Sequence, residues 1–93
     1  MKIEVFENVW DTLEDDPAIR ESLKLRSQLM IELERHIKRE GLTQAQAAKL
    51  FGVTQLRVSN LMRGKIIFFG LDLLVMMATA AGLRVSLKVQ KAA

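Results

Sequence analysis

The sequence predicts a mainly α-helical domain of five helices with a small C-terminal β-strand. From Pro17 no helix breaker follows until Gly41, which predicts one helix of about 23 residues. Two shorter segments with helical apolar spacing lie on either side of Gly52, and a fourth apolar segment, Leu71 to Ala81, follows them. The strand is predicted by apolar residues that alternate with polar ones near the end of the chain: Leu83, Val85, Leu87 and Val89.

Length and composition indicate one small domain in a reducing compartment. A chain of 93 residues suits a single domain of marginal stability, which oligomerisation would help. There is no cysteine, so disulfides and thiolate metal sites are excluded. Met1 to Trp10 carries glutamates where a signal peptide would be basic and then apolar. The longest apolar run, Ile66 to Leu83, is too short for a bilayer and contains Asp72. We therefore expect a cytoplasmic protein without a membrane anchor.

The first sixteen residues form an acidic segment that precedes the main domain, residues 17–93. Met1 to Phe6 alternates well enough for a short strand, and Asn8 to Glu14 has the apolar spacing of one or two helical turns. Asp16 and Pro17 then start the long helix as N-cap and first helical residue.

The stretch Gln44 to Arg63 has the pattern of a helix-turn-helix. Gly52 lies where the first short helix must stop, because glycine takes a left-handed backbone conformation without steric strain. Ala48, one turn earlier, is small enough for the second helix to cross closely. Thr43 and Thr54 stand at N-cap positions, and Thr43 forms a capping box with Gln46 three residues later.

This motif predicts DNA binding, because the second helix of a helix-turn-helix enters the major groove with its N-terminal residues against base edges. Glutamine and asparagine suit adenine, leucine suits a thymine methyl group, and basic residues suit phosphate or guanine. The candidate DNA-binding residues are Thr43, Gln44, Thr54, Gln55, Leu56, Arg57, Ser59, Asn60, Arg63 and Lys65. The alternative is that they are ordinary polar residues on an exposed helix face.

The charge distribution agrees with this prediction. Residues 1–40 contain seven basic and ten acidic side chains, whereas residues 41–93 contain seven basic side chains and a single acidic one, Asp72. The half that contains the motif is therefore basic, as a phosphate-binding surface requires. The alternative is a solvated surface, on which charge imbalances of this size are common.

The segments after the motif predict a homodimer. The helix Leu71 to Ala81 is apolar nearly all round, so one face is left needing cover, which a partner chain would supply. The strand also needs a partner, and Met1 to Phe6, the same strand of a second subunit, or both would serve. The predicted interface residues are Leu74, Met77, Leu83, Val85, Leu87 and Val89.

No catalytic, cofactor or metal site is predicted. The acidic cluster at Asp11, Glu14 and Asp15 has no partner base or second ligand group, and His36 stands alone near a helix end. No nucleophile, base and orienting group come together, which argues against an enzyme. The acidic segment could instead bind a basic protein.

The stretch GLTQAQAAKLFGVTQLRVSNLMRGK, Gly41 to Lys65, resembles the XRE-type helix-turn-helix of lambda repressor and Cro. With LRSQLMIELERHIKREGLTQAQAAKL before the turn and FFGLDLLVMMATAAGLRVSLKV after it, the chain is similar to the HigA-like antitoxins over about Val5 to Val89. The resemblance implies a lambda-repressor-like domain and a dimer on a palindromic operator in double-stranded DNA. In the antitoxin members it also implies autorepression and neutralisation of an RNA-cleaving toxin.

By position, the resemblance places Gln44 and Gln55 at glutamines that such repressors use on phosphate and base. Gly70 departs from the pattern, which usually has serine or threonine as the cap of the next helix. The competing hypothesis is a protein-interaction module, toxin-neutralising or a scaffold, whose helix-turn-helix is structural only.

Overall fold

The computed structural model describes residues 1–4 and 16–92, and its regular structure there is helical. The predicted helical turn at Asn8 to Glu14 and the end of the predicted strand Met1 to Phe6 lie outside the described residues. The mainly α-helical class is confirmed. The described part of the chain contains four α-helices and one 3-10 helix, namely α1 (Pro17–Arg39), α2 (Gln44–Phe51), α3 (Gln55–Met62), the 3-10 helix (Ile66–Phe68) and α4 (Leu71–Ala80).

Helix α1 begins where its sequence signals place it. The Asp16 carboxylate accepts hydrogen bonds from the backbone N–H of Ala18 at 2.9 Å and of Ile19 at 3.4 Å, and Pro17 is the first helical residue. The buried residues of α1 all lie in its C-terminal half, from Met30 to Ile37, whereas its first half is mainly exposed. The C-terminal half of α1 therefore supports the rest of the domain.

One hydrophobic core holds all the helices together. Helix α1 packs on α4 and on the 3-10 helix, and α2 packs on both α3 and α4. The two largest fully buried side chains are Phe51 and Phe69. The core residues are Met30, Leu33, Ile37, Ala47, Ala48, Phe51, Val58, Leu61, Ile66, Phe69, Leu74, Met77 and Ala78. The two short helices of the motif are therefore fixed against α1 and α4 by shared packing.

The segment between α3 and α4 is only partly buried. The sequence predicts that all four apolar residues there are buried, and this is wrong for two of them. Ile66 and Phe69 are buried, but Ile67 and Phe68 are 54% and 50% exposed. In a 3-10 helix, side chains three residues apart lie on the same side, so only the first and last of the four face the core.

Residues 1–4 pair with the turn after α3. The Glu4 N–H donates to the Gly64 carbonyl at 2.7 Å, in a parallel bridge with Lys65. Met1 and Ile3 pack against the core, and the Met1 amine lies 3.5 Å from Oε1 of Glu34. Of the alternatives for the C-terminal strand, pairing with residues 1–4 is therefore not observed.

The predicted C-terminal strand is not confirmed. Residues 83–92 have no regular secondary structure, and the described residues contain no sheet. Leu83 is half-buried against the core, whereas Val85, Leu87 and Val89 are 40%, 71% and 86% exposed. A segment with no neighbouring strand lacks the backbone partner that a strand requires.

The structure corrects two residues of the predicted dimer interface. Leu74 and Met77 are fully buried in the core of their own chain, so neither side chain is available to a partner. Both lie on the face of α4 that packs on α1 and α2. Elsewhere on α4, Leu71 and Met76 are 40% and 68% exposed. None of the helices in the described residues is long and apolar enough to cross a membrane.

Candidate nucleic-acid interface

The two short helices form the predicted helix-turn-helix. Gly52 ends α2 with φ of +70°, in the left-handed region, and the Val53 N–H donates back to the Ala48 carbonyl at 3.0 Å. Ala47 and Ala48 are both buried, and these small side chains let α3 pack close to α2. The predicted roles of Gly52 and Ala48 are confirmed.

Both helices of the motif begin at a threonine cap. The hydroxyl of Thr43 accepts from the Gln46 N–H at 3.1 Å, and the Gln46 side chain accepts from the Thr43 N–H at 2.8 Å. The predicted capping box is therefore present. The hydroxyl of Thr54 accepts from the Arg57 N–H at 3.1 Å. These bonds fix the first turns of α2 and α3, where contacts to DNA are predicted.

The candidate base-contacting residues lie on the outer side of α3. Gln55 and Leu56 are exposed, Leu56 at 69%, while Ser59 and Asn60 follow four residues later and are half-buried. Side chains four residues apart lie on one face of a helix. The opposite face, with Val58 and Leu61, is fully buried. The structure therefore places these four candidate base-contacting residues on the same exposed side of α3.

The flanking candidates differ in exposure. Gln44 is exposed at the first position of α2, and Arg63 is exposed at the C-terminal end of α3. Lys65 is half-buried beside the bridge to Glu4. Across the described ranges, every ion pair involves a carboxylate of α1, and none reaches a basic residue after position 41. The positive charge around α3 is therefore not neutralised by these carboxylates.

Arg57 has partners inside the chain. Its Nη1 donates to the Phe68 carbonyl at 3.0 Å, and its guanidinium carbon lies 5.9 Å from the centre of the Phe69 ring. Sequence reasoning predicts this side chain as a contact to phosphate or guanine. It also misses Arg26 of α1, which donates to the carbonyls of Phe69 and Ile66 at 2.7 and 2.8 Å. No local signal marks Arg26, because its acceptors are backbone atoms some forty residues away.

The fold and the exposed outer face of α3 define a helix-turn-helix protein. A family model described as a helix-turn-helix domain matches residues 12–90, and the chain belongs to that family. A search of curated proteins found no match. Family membership supports DNA binding as the function of the motif.

Proposed function

We propose that the protein is a sequence-specific DNA-binding transcriptional regulator whose α3 enters the major groove. The observation that carries the proposal is the outer face of α3. It exposes Gln55 and Leu56 at the capped start of the helix and Arg63 at its end. A face with amide, apolar and basic groups has the chemistry that base edges and phosphates require.

Each group on this surface has a defined task in the proposal. The amides of Gln55 and Asn60 form paired hydrogen bonds with adenine, and Leu56 contacts a thymine methyl group. Ser59 contacts either a base or the backbone. Arg63 and Lys65 contact phosphates, and Gln44 holds a further phosphate together with the free N–H groups at the start of α2. Thr43 and Thr54 support these contacts as caps.

Band-shift titration with the protein's own promoter tests the proposal. We expect binding to this DNA to be stronger than to random duplex of the same length. Gln55→Ala should weaken promoter binding by about 1–3 kcal/mol and leave random-duplex binding nearly unchanged, because it removes a base contact. Ser22→Ala is the control, since Ser22 is an exposed polar residue of the first half of α1 and is neither a candidate DNA contact nor a residue that lines a predicted dimer contact.

Two results would count against base recognition by the outer face of α3. One is equal affinity of the parent protein for promoter and random duplex. The other is an equal loss on both duplexes from Gln55→Ala, which would show that the glutamine makes no base-specific contact.

The proposal includes a homodimer on a palindromic operator, because one α3 covers only a half-site. Support comes from a groove of about 400 Å³ between α1, α4 and the C-terminal segment. The apolar residues that line it are Leu25, Leu29, Leu71, Val75, Val85 and Leu87. The exposed alternating residues Val85, Leu87 and Val89 suit pairing with the same segment of a second copy. Leu83 contributes only in part, because it packs against its own core.

The more specific role that we propose is autorepression as an antitoxin of a toxin–antitoxin pair. It is supported by the resemblance to the HigA-like regulators and by the acidic composition of residues 1–16, which contain six carboxylates and one lysine. Such a segment suits a basic protein, such as a ribonuclease toxin. The alternative, a protein-interaction module with a structural motif only, shares this support.

Co-expression with the product of the neighbouring gene separates these roles. An antitoxin should co-purify with a small basic ribonuclease, abolish its RNA cleavage and bind the shared promoter. Co-purification and inhibition without promoter preference would favour the interaction module. Failure of both would remove the antitoxin role and leave DNA binding to be judged by the band shifts.

A further inference from the structure

Two arginines hold the backbone carbonyls of the turn between α3 and α4. Arg26 reaches from α1 to the carbonyls of Ile66 and Phe69, and Arg57 reaches from α3 to the carbonyl of Phe68. The three hydrogen bonds measure 2.7 to 3.0 Å. We call these two guanidinium groups and three carbonyls the carbonyl clamp. The clamp joins α1, α3 and the 3-10 helix at one point.

The hydrogen bonds of the clamp have charged donors, which make them stronger than neutral ones. Both arginines are half-buried; the two bonds of Arg26 are partly buried, whereas the bond from Arg57 to the Phe68 carbonyl is exposed. The Phe69 ring is fully buried, and the Arg57 guanidinium lies 5.9 Å from its centre, within the range of a cation–π contact. Residues 63–70 contain no carboxylate. The carbonyls are therefore the acceptors that this segment offers to the two guanidinium groups.

The clamp holds the first turn of α3, which carries the proposed base contacts of Gln55 and Leu56. Arg57 is the third residue of α3, directly after Gln55 and Leu56. The helix has only eight residues, and its buried residues are Val58 and Leu61, so none of the three residues before Val58 is buried in the core. One residue of helix corresponds to a rotation of about 100°. If α3 rotated about its axis by a fraction of that angle, the Gln55 side chain would point away from the base edge.

We propose that Arg57 is a positioning residue, which together with Arg26 sets the orientation of α3, and that it does not contact DNA. The proposal rests on the proposed function, in which α3 enters the major groove. It differs from the sequence-based prediction, which assigns Arg57 to phosphate or guanine. The hydrogen bond from Nη1 to the Phe68 carbonyl and the contact with the Phe69 ring hold this guanidinium group against its own chain.

The experiment compares Arg57→Gln with Arg63→Gln, because both remove one positive charge from α3 or its end. Thermal unfolding of the free protein is measured first, and then the salt dependence of binding to random duplex. We expect Arg57→Gln to lower Tm by about 4–8 °C, as loss of a stabilising hydrogen bond does in a domain of this size. Its salt slope should stay close to the parent value, while its preference for the promoter over random duplex should fall, because a reoriented α3 loses base contacts and keeps its phosphate contacts.

Arg63→Gln should show the opposite pattern. Its side chain is exposed, so Tm should hold, and loss of one phosphate contact should reduce the slope of log K against log[salt] by about 0.9. If Arg57→Gln does not fold, Arg57→Lys replaces it. Lysine keeps the charge but lacks the planar donor group, so Tm should still fall at an unchanged slope.

A salt slope for Arg57→Gln that falls as much as that for Arg63→Gln would overturn the proposal, whatever the melting temperature. An unchanged Tm for Arg57→Gln or Arg57→Lys would overturn it as well. If the parent protein binds no duplex, the proposed function fails and α3 has no DNA to be positioned for. The melting experiments would in that case still show whether the clamp stabilises the fold, so the two failures are distinguishable.

Discussion

Gly64 is constrained by a contact from the other end of the chain. Its φ of +70° lies in the left-handed region, and a Cβ built on it would collide with the Lys2 carbonyl oxygen. Gly52 has the same φ, but a Cβ there would meet nothing within 4 Å. The two glycines thus share a backbone conformation and differ in their neighbours.

A comparison of substitutions at Gly52 and Gly64 measures how much the packing of residues 1–4 contributes to stability. Gly52→Ala should destabilise the protein by about 1–2 kcal/mol, the strain of a left-handed backbone at a residue with a Cβ. Gly64→Ala should be more destabilising, because it also displaces Lys2 and the Glu4 hydrogen bond to Gly64. Urea unfolding of both variants gives the comparison. When residues 1–4 are removed, the two alanine variants should lose similar amounts of unfolding free energy. Equal losses in the full chain would show that the contact between Gly64 and Lys2 does not contribute to stability.

At the scale of single elements, α4 has an unfilled cap. Gly70 is its N-cap residue and provides no side-chain hydrogen bond, as expected from its departure from the repressor pattern. Its φ and ψ of −71° and 161° suit any residue, and a Cβ there would meet nothing within 4 Å. The start of α4 can therefore be improved without strain.

Gly70→Ser should raise the free energy of unfolding by about 0.5–1.5 kcal/mol, because it adds a capping hydroxyl and restricts the unfolded chain. Gly70→Ala is the matched control, which restricts the unfolded chain but adds no cap. Gly82→Ser should destabilise instead, since Gly82 has φ of +79°. Denaturant titration measures all three. A serine variant no more stable than the alanine variant would contradict a role for the cap.

The elements that the sequence predicts well are those with local signals. Asp16 with Pro17, Thr43 with Gln46, and Thr54 each mark a helix start by contacts within three residues, and all of these contacts are observed. Contacts between segments that are distant in sequence have no local sequence pattern that predicts them. The hydrogen bonds of Arg26 span 40 and 43 residues, and their acceptors are backbone atoms whose position no side chain reveals.

The same limit explains why α4 was assigned the wrong buried face and why the strand after it is not confirmed. Leu74 and Met77 belong to a helix that is apolar nearly all round, so hydrophobic spacing cannot show which face meets the core. The segment from Leu83 to Val89 has clear strand periodicity, yet a strand also depends on a partner that periodicity does not specify. The candidate DNA-binding residues stay a prediction, but the shared exposed side of Gln55, Leu56, Ser59 and Asn60 follows from their spacing in one short helix.

At the scale of the whole molecule, the proposed dimer can be tested by one exposed residue. Val85 lines the groove between α1, α4 and the C-terminal segment, whereas Met76 is exposed on α4 and does not line it. Val85→Lys should shift the mass measured by light scattering from dimer toward monomer, since it places a charge in an apolar contact. Met76→Lys makes the same kind of change outside the groove and should leave the mass unaltered. A dimer that survives Val85→Lys would exclude Val85 from the interface.

The C-terminal segment also bears on the colloidal behaviour of the protein. An extended segment with apolar side chains at alternate positions, here Val85, Leu87 and Val89, is the kind of sequence through which many chains stack into aggregates. Arg84 precedes these positions, Lys88 stands between Leu87 and Val89, and Lys91 follows them. Like charges repeated along a growing stack repel one another, whereas the pairing of two copies meets this repulsion only once. The charges of the C-terminal segment therefore oppose the stacking of many copies, and salt that screens these charges weakens that opposition.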